Sequence, residues 1–202
     1  MKQIGEHALN ALKAVERADI AVTEAVAGDR HRREVQQAAR WSELADQPPL
    51  VALSAGVLAI GLVARNRDIA RTGIRMLASH ALATGIKSAI KRSIDRTRPD
   101  HALIEGYRMA PGDSHEHEMS SFPSGHTAGA VAVAEAVARE APIAAIPVRL
   151  LATAVGIVQV PRCKHYVSDV LVGAAIGLAA ERIVAATMSR GAAVARRATS
   201  DS

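Results

Sequence analysis

The sequence predicts an all-α protein: a membrane-embedded bundle of about five core helices, preceded by amphipathic N-terminal helices. Alanine and other aliphatic residues dominate the 202-residue chain, and aromatic residues make up only 2% of it. Such a composition favours helices wherever proline and glycine do not interrupt the chain. Residues 50–64 carry no charge at all. Because the overall mean hydropathy is only slightly positive, a soluble helical bundle is the alternative.

Residues 1–48 form the first unit, an amphipathic helical segment. Apolar side chains such as Ile4, Leu12 and Val15 recur at helical spacing, with charged residues opposite them. The segment carries acidic residues throughout and lacks a continuous apolar run, which is not the pattern of a cleavable signal peptide. Pro48 and Pro49 then interrupt the chain before the uncharged run.

Residues 49–188 form the second unit, in which apolar runs predict the core helices. We expect helices over 50–64, 68–94, 124–139, 143–160 and 168–186. If each helix spanned a bilayer, the arginines between them would lie on one side, which the positive-inside rule assigns to the cytoplasm. The expectation is therefore a multi-pass protein of the cell (inner) membrane, ending in a basic, disordered tail over residues 189–202.

Two cations mark the end of the second core helix, in the stretch KRSIDRTRP. Lys91 and Arg98 are seven residues apart, almost two helical turns, so on one continuous helix they would share a face and converge on one anion. Pro99 is expected to end that helix. Taken alone, the pair also fits a solvated or headgroup-facing surface.

The tetrapeptide PSGH, residues 123–126, precedes the third core helix. Ser124 is a good N-cap, Gly125 permits close approach of a ligand to the backbone, and His126 falls in the first turn. Free N–H groups and the helix dipole favour a bound phosphate at such a position. An ordinary capped helix with an exposed histidine is the alternative.

His165 and Asp169 stand four residues apart at the expected start of the fifth core helix, so they share a helix face. Asp169 can accept a hydrogen bond from one ring nitrogen of His165 and leave the other nitrogen free to attack. The same spacing is also common as ordinary surface stabilisation.

The three motifs together, in this order, resemble those of the type 2 phosphatidic acid phosphatase superfamily, which also includes vanadium haloperoxidases. The resemblance spans roughly residues 50–187. It implies a phosphatase that uses no metal and no cofactor. His165 would attack phosphorus to form a phosphohistidine, and Asp169 would steady the developing imidazolium. His126 would protonate the leaving oxygen and later activate water.

The same resemblance implies a phosphate site and a class of substrate. Lys91 and Arg98 would hold the non-bridging oxygens. The backbone N–H groups around Ser124 and Gly125 would assist them. The substrate would be a lipid phosphomonoester or pyrophosphate of the phosphatidate, phosphatidylglycerol phosphate or prenyl phosphate type, with membrane lipids as the other partners. The active site would face the periplasm or the exterior.

One position departs from the family pattern. An arginine normally stands six residues before the histidine of the third motif, usually after a serine, whereas this chain has Gln159 and Val158. A glutamine amide can still donate to phosphate, but it lacks the charge and the forked donors of a guanidinium. We therefore predict that Arg162 takes the vacant place and that Gln159 makes a weak phosphate contact.

Two other functions remain open. One is a vanadate-dependent haloperoxidase-like enzyme with His165 ligating vanadium, and the other is a catalytically degenerate membrane protein that only binds anionic lipid. A nucleic-acid partner is not expected, because the chain lacks the aromatic and Gly-Arg interleaving typical of single-strand binding. The stretch HEHE, residues 115–118, matches no usual zinc or calcium spacing, so we expect the loop over residues 101–122 to be a solvated flap over the site.

Overall fold

The computed structural model describes the backbone of residues 2–200 and the side chains of His7 and of residues 10–191. It confirms the all-α class. Along these residues the helices are α1 (Lys2–Val26), α2 (Arg33–Ser42), α3 (Gln47–Val63), α4 (Arg67–Lys91), α5 (Pro99–Glu105), α6 (Gly125–Glu140), α7 (Ala145–Val158) and α8 (Val167–Ser200). Two three-residue strands, β1 (Ile94–Arg96) and β2 (Met109–Pro111), pair antiparallel between α4 and α6.

Helix α6 lies at the centre of the bundle, because it packs against α4, α7 and α8. Three of its alanines, Ala128, Ala132 and Ala136, are at most 1% exposed. Small side chains allow the neighbouring helix backbones to approach closely. A Cβ added to Gly177 of α8 would lie 2.6 Å from the carbonyl oxygen of Ala128, so this contact between α6 and α8 requires glycine.

Helix α3 begins at Gln47 rather than at residue 50, where the sequence predicted its start. The Asp46 side chain caps the helix by accepting a hydrogen bond from the Gln47 N–H at 2.9 Å. Pro48 and Pro49 occupy the first turn, where the N–H that proline lacks would have no helical partner. The proline pair therefore belongs to the helix and not to a linker before it.

The expectation that Lys91 and Arg98 share one helix is wrong. Helix α4 ends at Lys91, and the chain then enters β1, where Asp95 lies opposite Ala110 of β2. Pro99 is in the first turn of α5 and Arg98 is its N-cap residue. The two cations reach the same region because the chain turns back through the strand pair, and helical periodicity cannot reveal such a turn.

Helix α8 is longer than expected, because it continues to Ser200 through most of the segment that was expected to be disordered. Alanine and arginine, which dominate this end of the chain, have high helix propensity. The part Val167–Gly191, 25 residues long, is long and apolar enough to cross a membrane. Among the described residues, a second membrane span is possible only if α2, its connection and α3 together form one span. The two parts of that span would meet at an angle of 53°.

A buried ion-pair network joins three helices at the end of the bundle where α6 terminates. Arg75 of α4, only 2% exposed, donates to Glu140 of α6 at 2.6 Å and to Glu181 of α8 at 3.3 Å. Arg139 adds two hydrogen bonds to Glu181, at 2.6 and 2.9 Å. Removing one partner would leave a buried charge unpaired, which is strongly destabilising.

Candidate active site

Several helix ends meet around a cavity of about 230 Å³ at the end of the bundle where α6 begins. The start of α3, the second half of α4, the first turn of α6 and the loops before α6 and α8 all contribute to its wall. The lining residues are Ala45, Asp46, Gln47, His80, Thr84, Lys87, Lys91, Arg98, His117, Gly125, His126 and His165. This concentration of cations and histidines suits an anionic ligand.

The two predicted cations both line the cavity. The Lys91 ammonium donates to the carbonyl oxygen of Ser120. Arg98 donates through Nε to the carbonyl oxygen of His117 at 2.8 Å, and its Nη2 lies 3.3 Å from the Ser120 hydroxyl. Both side chains are therefore oriented by the loop that precedes α6, and they converge on the cavity from the two ends of the same short connection.

The start of α6 agrees with the sequence-based expectation. Ser124 is the N-cap residue, and its hydroxyl accepts a hydrogen bond from the Thr127 N–H at 3.5 Å. Gly125 and His126 in the first turn line the cavity, so the positive end of the helix dipole lies beside it. Burial lowers the pKa of His126, and the Asp46 carboxylate, 3.9 Å from the Nε2 atom of the ring, opposes that shift.

Ser124 itself contributes differently from the expectation. The residue is fully buried, and its backbone N–H already donates to the carbonyl oxygen of Asp169 at 3.1 Å. That donor is therefore not available to a ligand, because the turn before α6 is joined to the first turn of α8. Ser124 shapes the helix start, and the donors left for an anion are those that follow it in the first turn of α6.

His165 lies in the loop before α8, is 3% exposed and lines the cavity. Its Nδ1 atom is 2.7 Å from the carbonyl oxygen of Ser121 and 3.7 Å from the Asp169 carboxylate. Because a carbonyl oxygen can only accept, a neutral ring carries its proton on Nδ1 and keeps a free lone pair on Nε2. The direct orienting partner is thus the Ser121 carbonyl, which the sequence did not reveal, with the predicted Asp169 beside it.

The environment keeps the His165 ring neutral. Burial is the main reason that the pKa of His165 is lowered to about 4. The cations Arg98 and Lys91 act in the same direction, and the Asp169 carboxylate opposes them. At neutral pH the imidazole is therefore uncharged, and its Nε2 lone pair is available for nucleophilic attack.

Asp169 is completely buried, and its carboxylate accepts three strong hydrogen bonds. The donors are the Arg96 guanidinium at 2.5 Å, the Ser121 hydroxyl at 2.6 Å and the Tyr166 N–H at 2.9 Å. Hydrogen bonds to a carboxylate favour its ionised form. Asp169 is thus a fixed negative charge beside His165, suited to stabilising positive charge that develops on the ring.

The family model of the PAP2 superfamily matches residues 72–191, more than half of the chain. The chain belongs to the PAP2 superfamily. It is 32% identical over 130 residues to the decaprenylphosphoryl-5-phosphoribose phosphatase of Mycobacterium tuberculosis, a match that covers 62% of this chain and 64% of that protein. The chain therefore spans less than two thirds of the length of this curated relative.

Two solved structures share the fold of this PAP2 chain. One is a transmembrane PAP2 type phosphatidylglycerolphosphate phosphatase from Bacillus subtilis, with a TM-score of 0.68, 25% identity and coverage of 88% of this chain and 87% of that one. The other is LpxE of Aquifex aeolicus, with a TM-score of 0.61, 21% identity and coverage of 81% and 92%. The second likeness concerns the fold alone.

Gln159 occupies the position at which the PAP2 pattern has arginine, but it does not line the cavity. Its amide nitrogen donates to the Val155 carbonyl oxygen at 3.0 Å and lies 3.4 Å from the Ser42 hydroxyl. Its amide oxygen is buried, with no hydrogen-bond partner among the described residues. The side chain thus faces α2 and does not point toward the residues expected to bind phosphate.

Arg162 also lies outside the residues that line the cavity of this PAP2 protein. Its Nη1 donates to the Ser42 hydroxyl at 2.7 Å, and its Nη2 lies 3.3 Å from the Glu43 carboxylate. The guanidinium is therefore engaged by the end of α2 and by the residue that follows it, and not by the residues that line the cavity. Spacing along the sequence could not reveal that this distant segment supplies its partners.

Lys87 is a third cation in the cavity that sequence reasoning missed. It lies one helical turn before Lys91 on α4, so the two ammonium groups share a face. A Cβ built on Gly125 would lie only 3.0 Å from its Nζ, which places the ammonium against the first turn of α6. The Asp46 carboxylate, which lines the same cavity, attracts this ammonium. The i, i+4 spacing of Lys87 and Lys91 was the available signal.

The flap predicted over residues 101–122 contributes one side chain to the cavity, that of His117. Burial and the neighbouring Arg98 both lower the pKa of His117, with Arg98 as the larger cause. The exposed His115 lies outside the cavity. Among the residues that the structure describes, no group of three or more histidine, cysteine, aspartate or glutamate side chains is arranged to hold a metal ion.

Proposed function

We propose that this protein is a lipid phosphate phosphohydrolase with His165 as its nucleophile. One observation carries the proposal. A buried, neutral imidazole, oriented by the Ser121 carbonyl at 2.7 Å, lines the same cavity as His126 and the cations Lys91 and Arg98. A nucleophile, an acid–base group and an anion site together are what phosphoryl transfer through a covalent intermediate needs.

In the first step, the Nε2 lone pair of His165 attacks phosphorus, and a P–N bond forms. The bond between phosphorus and the lipid oxygen breaks, and the leaving oxygen takes a proton from the His126 imidazolium. Burial lowers the pKa of His126, and the Asp46 carboxylate, 3.9 Å from Nε2, opposes this effect and so helps the ring to carry the proton. Asp169 stabilises the positive charge that His165 acquires as the phosphohistidine forms.

In the second step, His126 is neutral and takes a proton from water, whose oxygen attacks phosphorus. The P–N bond breaks, its electron pair returns to His165, and inorganic phosphate leaves. His126 is then protonated again, so the catalytic residues end in the states in which they began. No metal or cofactor is needed for this balance.

The charge on the non-bridging oxygens is balanced by Lys91, Arg98 and Lys87, together with the first N–H groups of α6 beside Gly125. Negative charge on the phosphoryl group moves during the transfer, and preorganised cations and dipoles stabilise it without reorganising. Lys87 supplies positive charge next to the start of α6, whereas neither Gln159 nor Arg162 contributes a side chain to the cavity wall.

An apolar cavity beside the catalytic one supports a lipid substrate. It has a volume of about 560 Å³ and lies between α2, α3, α6 and α7. Its wall is almost entirely apolar, with Leu50, Val133 and Leu151 among its residues, and Ala45 lines both cavities. A hydrocarbon chain lying in this apolar cavity would end beside the catalytic histidines. A small water-soluble phosphate ester has no such chain and would make no use of the apolar cavity.

The outer surface of the bundle supports residence in a membrane. Large apolar side chains are exposed on α7, with Ile146 at 73% and Leu151 at 68%, and on α3, with Val63 at 86%. Surfaces of this kind are typical of lipid contact. We propose a multi-pass protein whose arginine-rich end, with Arg65 and Arg71, faces the cytoplasm and whose catalytic cavity faces the periplasm or the exterior.

Among lipid phosphates, a phosphorylated prenyl carrier is the first substrate to test, because the mycobacterial relative is a decaprenylphosphoryl-5-phosphoribose phosphatase. The decisive experiment measures phosphate release from that lipid, from phosphatidylglycerol phosphate and from phosphatidate, with EDTA present. We expect turnover by the wild-type protein and a loss of at least about a thousandfold in kcat for His165→Ala. His115→Ala, which removes an exposed histidine outside the cavity, is the matched control and is expected to keep wild-type turnover.

The same assay separates the proposal from its rivals. Turnover that EDTA abolishes would overturn the metal-free mechanism. Lipid binding by the wild-type protein without any turnover would favour a degenerate binding protein. Halide oxidation on addition of vanadate would favour a haloperoxidase.

A further inference from the structure

A buried chain of ion pairs connects the N-terminal helix to the catalytic pair. Arg96, 2% exposed, donates through Nη1 to Asp169 at 2.5 Å and through Nη2 to Asp19 of α1 at 2.8 Å. Asp169 in turn adjoins His165, with 3.7 Å between the carboxylate and Nδ1. A single guanidinium thus bridges a carboxylate beside the nucleophile and a carboxylate from a helix that lies outside the family match, residues 72–191.

Asp19 also holds the first turn of the helix that carries Asp169. Its carboxylate accepts a hydrogen bond from the Ser168 N–H at 3.0 Å, and it also accepts one from the Ser168 hydroxyl. The start of α8 is therefore capped by a side chain from α1. Asp19 is only 3% exposed, which is unusual for an aspartate on the outer helix of a bundle.

The guanidinium has little freedom to move between its two carboxylates. The ring of Tyr166 lies 4.1 Å from its central carbon, and the ring of Tyr107 lies 5.4 Å from it. Such rings stack favourably against a cation. The position of Arg96, and with it the position of the Asp169 carboxylate, depends on partners at both ends of the guanidinium fork.

We propose that Asp19 is a positioning residue for the reaction: by fixing Arg96 and the first turn of α8, it holds Asp169 where it can stabilise charge on His165. The inference rests on the proposed function, because it assigns a role within that chemistry. Asp19 does not line the cavity and does not touch the substrate. Its contribution is to the charge separation in the transition state and not to phosphate binding.

The test compares Asp19→Asn with Glu16→Gln in the full-length protein. Both substitutions remove one negative charge from the same face of α1, and Glu16 lies 3.3 Å from the Tyr107 hydroxyl without contacting Arg96. For Asp19→Asn we expect kcat to fall about tenfold or more, while KM and the inhibition constant of inorganic phosphate stay within about twofold of wild type. Glu16→Gln is expected to keep wild-type kcat.

Each outcome either supports or overturns the inference. Wild-type kcat in Asp19→Asn overturns it, and so does an equal fall of kcat in Glu16→Gln, since that would assign the loss to docking of α1 in general. A parallel change in phosphate inhibition would assign the effect to the anion site and overturn it as well. Absence of turnover in the wild-type protein would instead overturn the proposed function, and this inference with it.

Arg96→Lys provides a second variant in case Asp19→Asn does not fold. Lysine keeps the positive charge but lacks the fork that bridges two carboxylates. We expect the same selective loss of kcat, with phosphate inhibition unchanged. Wild-type kcat in a folded Arg96→Lys protein would overturn the inference on its own.

Discussion

Lys87 has an unusual position among the cations of the cavity. Lys91 and Arg98 each donate to backbone carbonyl oxygens of the loop before α6, whereas the Lys87 ammonium lies against Gly125 and is attracted by the Asp46 carboxylate, which lines the same cavity. Burying a charge is unfavourable unless it is paired, and a phosphate bound in the cavity would pair with this ammonium.

We therefore predict that Lys87→Met lowers kcat/KM by about tenfold to a hundredfold, since a hydrogen bond to a charged group contributes about 1.5–3 kcal/mol. The inhibition constant of inorganic phosphate should rise in parallel, because the lost contact is made to the phosphate itself. Steady-state kinetics with a lipid phosphate substrate measures both. Lys13→Met, on the exposed face of α1, is the matched control, and equal losses in the two variants would contradict the assignment.

Helix α6 was largely predictable from the sequence, because its signals are local. Ser124 caps the helix, Gly125 follows, and an uninterrupted alanine-rich run extends to Glu140. The end of α4 was not predictable in this way. Whether Arg98 continues that helix depends on the pairing of Asp95 with Ala110, a contact that periodicity does not encode.

The same contrast between local signals and contacts between remote segments applies to the candidate site. His165, His126, Lys91 and Arg98 all line the cavity, as the motifs predicted. The partners of Arg162 lie at the end of α2 and directly after it, and the carbonyl that orients His165 belongs to Ser121. Both depend on elements that are remote in sequence and carry no chemical signature, so motif spacing could not identify them.

The close contact between α6 and α8 gives a prediction about stability. A Cβ at Gly177 would lie 2.6 Å from the Ala128 carbonyl oxygen and 2.9 Å from the Ala132 nitrogen. Both are backbone atoms, which cannot avoid the contact by a change of rotamer. We expect Gly177→Ala to destabilise the fold by about 1–3 kcal/mol, the usual cost of overpacking, and to lower the melting temperature measured in detergent. Gly56→Ala in α3, where nothing lies within 4 Å of the added carbon, is the control and should be neutral or slightly stabilising because alanine is the better helix former.

At the scale of the whole molecule, charge and apolar surface are arranged along one axis. The arginines of the α3–α4 turn and the Arg75 network lie at the end opposite the catalytic cavity, and exposed aliphatic side chains cover α3 and α7 between the two ends. This distribution fits a bundle that stands in a bilayer with its cavity near the interface.

We predict that the full-length protein sediments with membranes, resists extraction by high salt and by alkaline carbonate, and is released by detergent. Fractionation followed by immunoblotting measures this directly. Release by salt alone would contradict membrane embedding and would favour a soluble bundle that associates with headgroups through its basic residues.

The Arg75 network also bears on the order in which the chain is assembled during synthesis. Arg75 leaves the ribosome 65 residues before Glu140 and 106 residues before Glu181. Helix α4 is therefore synthesised with a guanidinium whose two carboxylate partners follow only later, and a buried charge without its partner is strongly destabilising. The three helices can therefore be joined at this end of the bundle only after α8, which carries the last counter-charge, has been made.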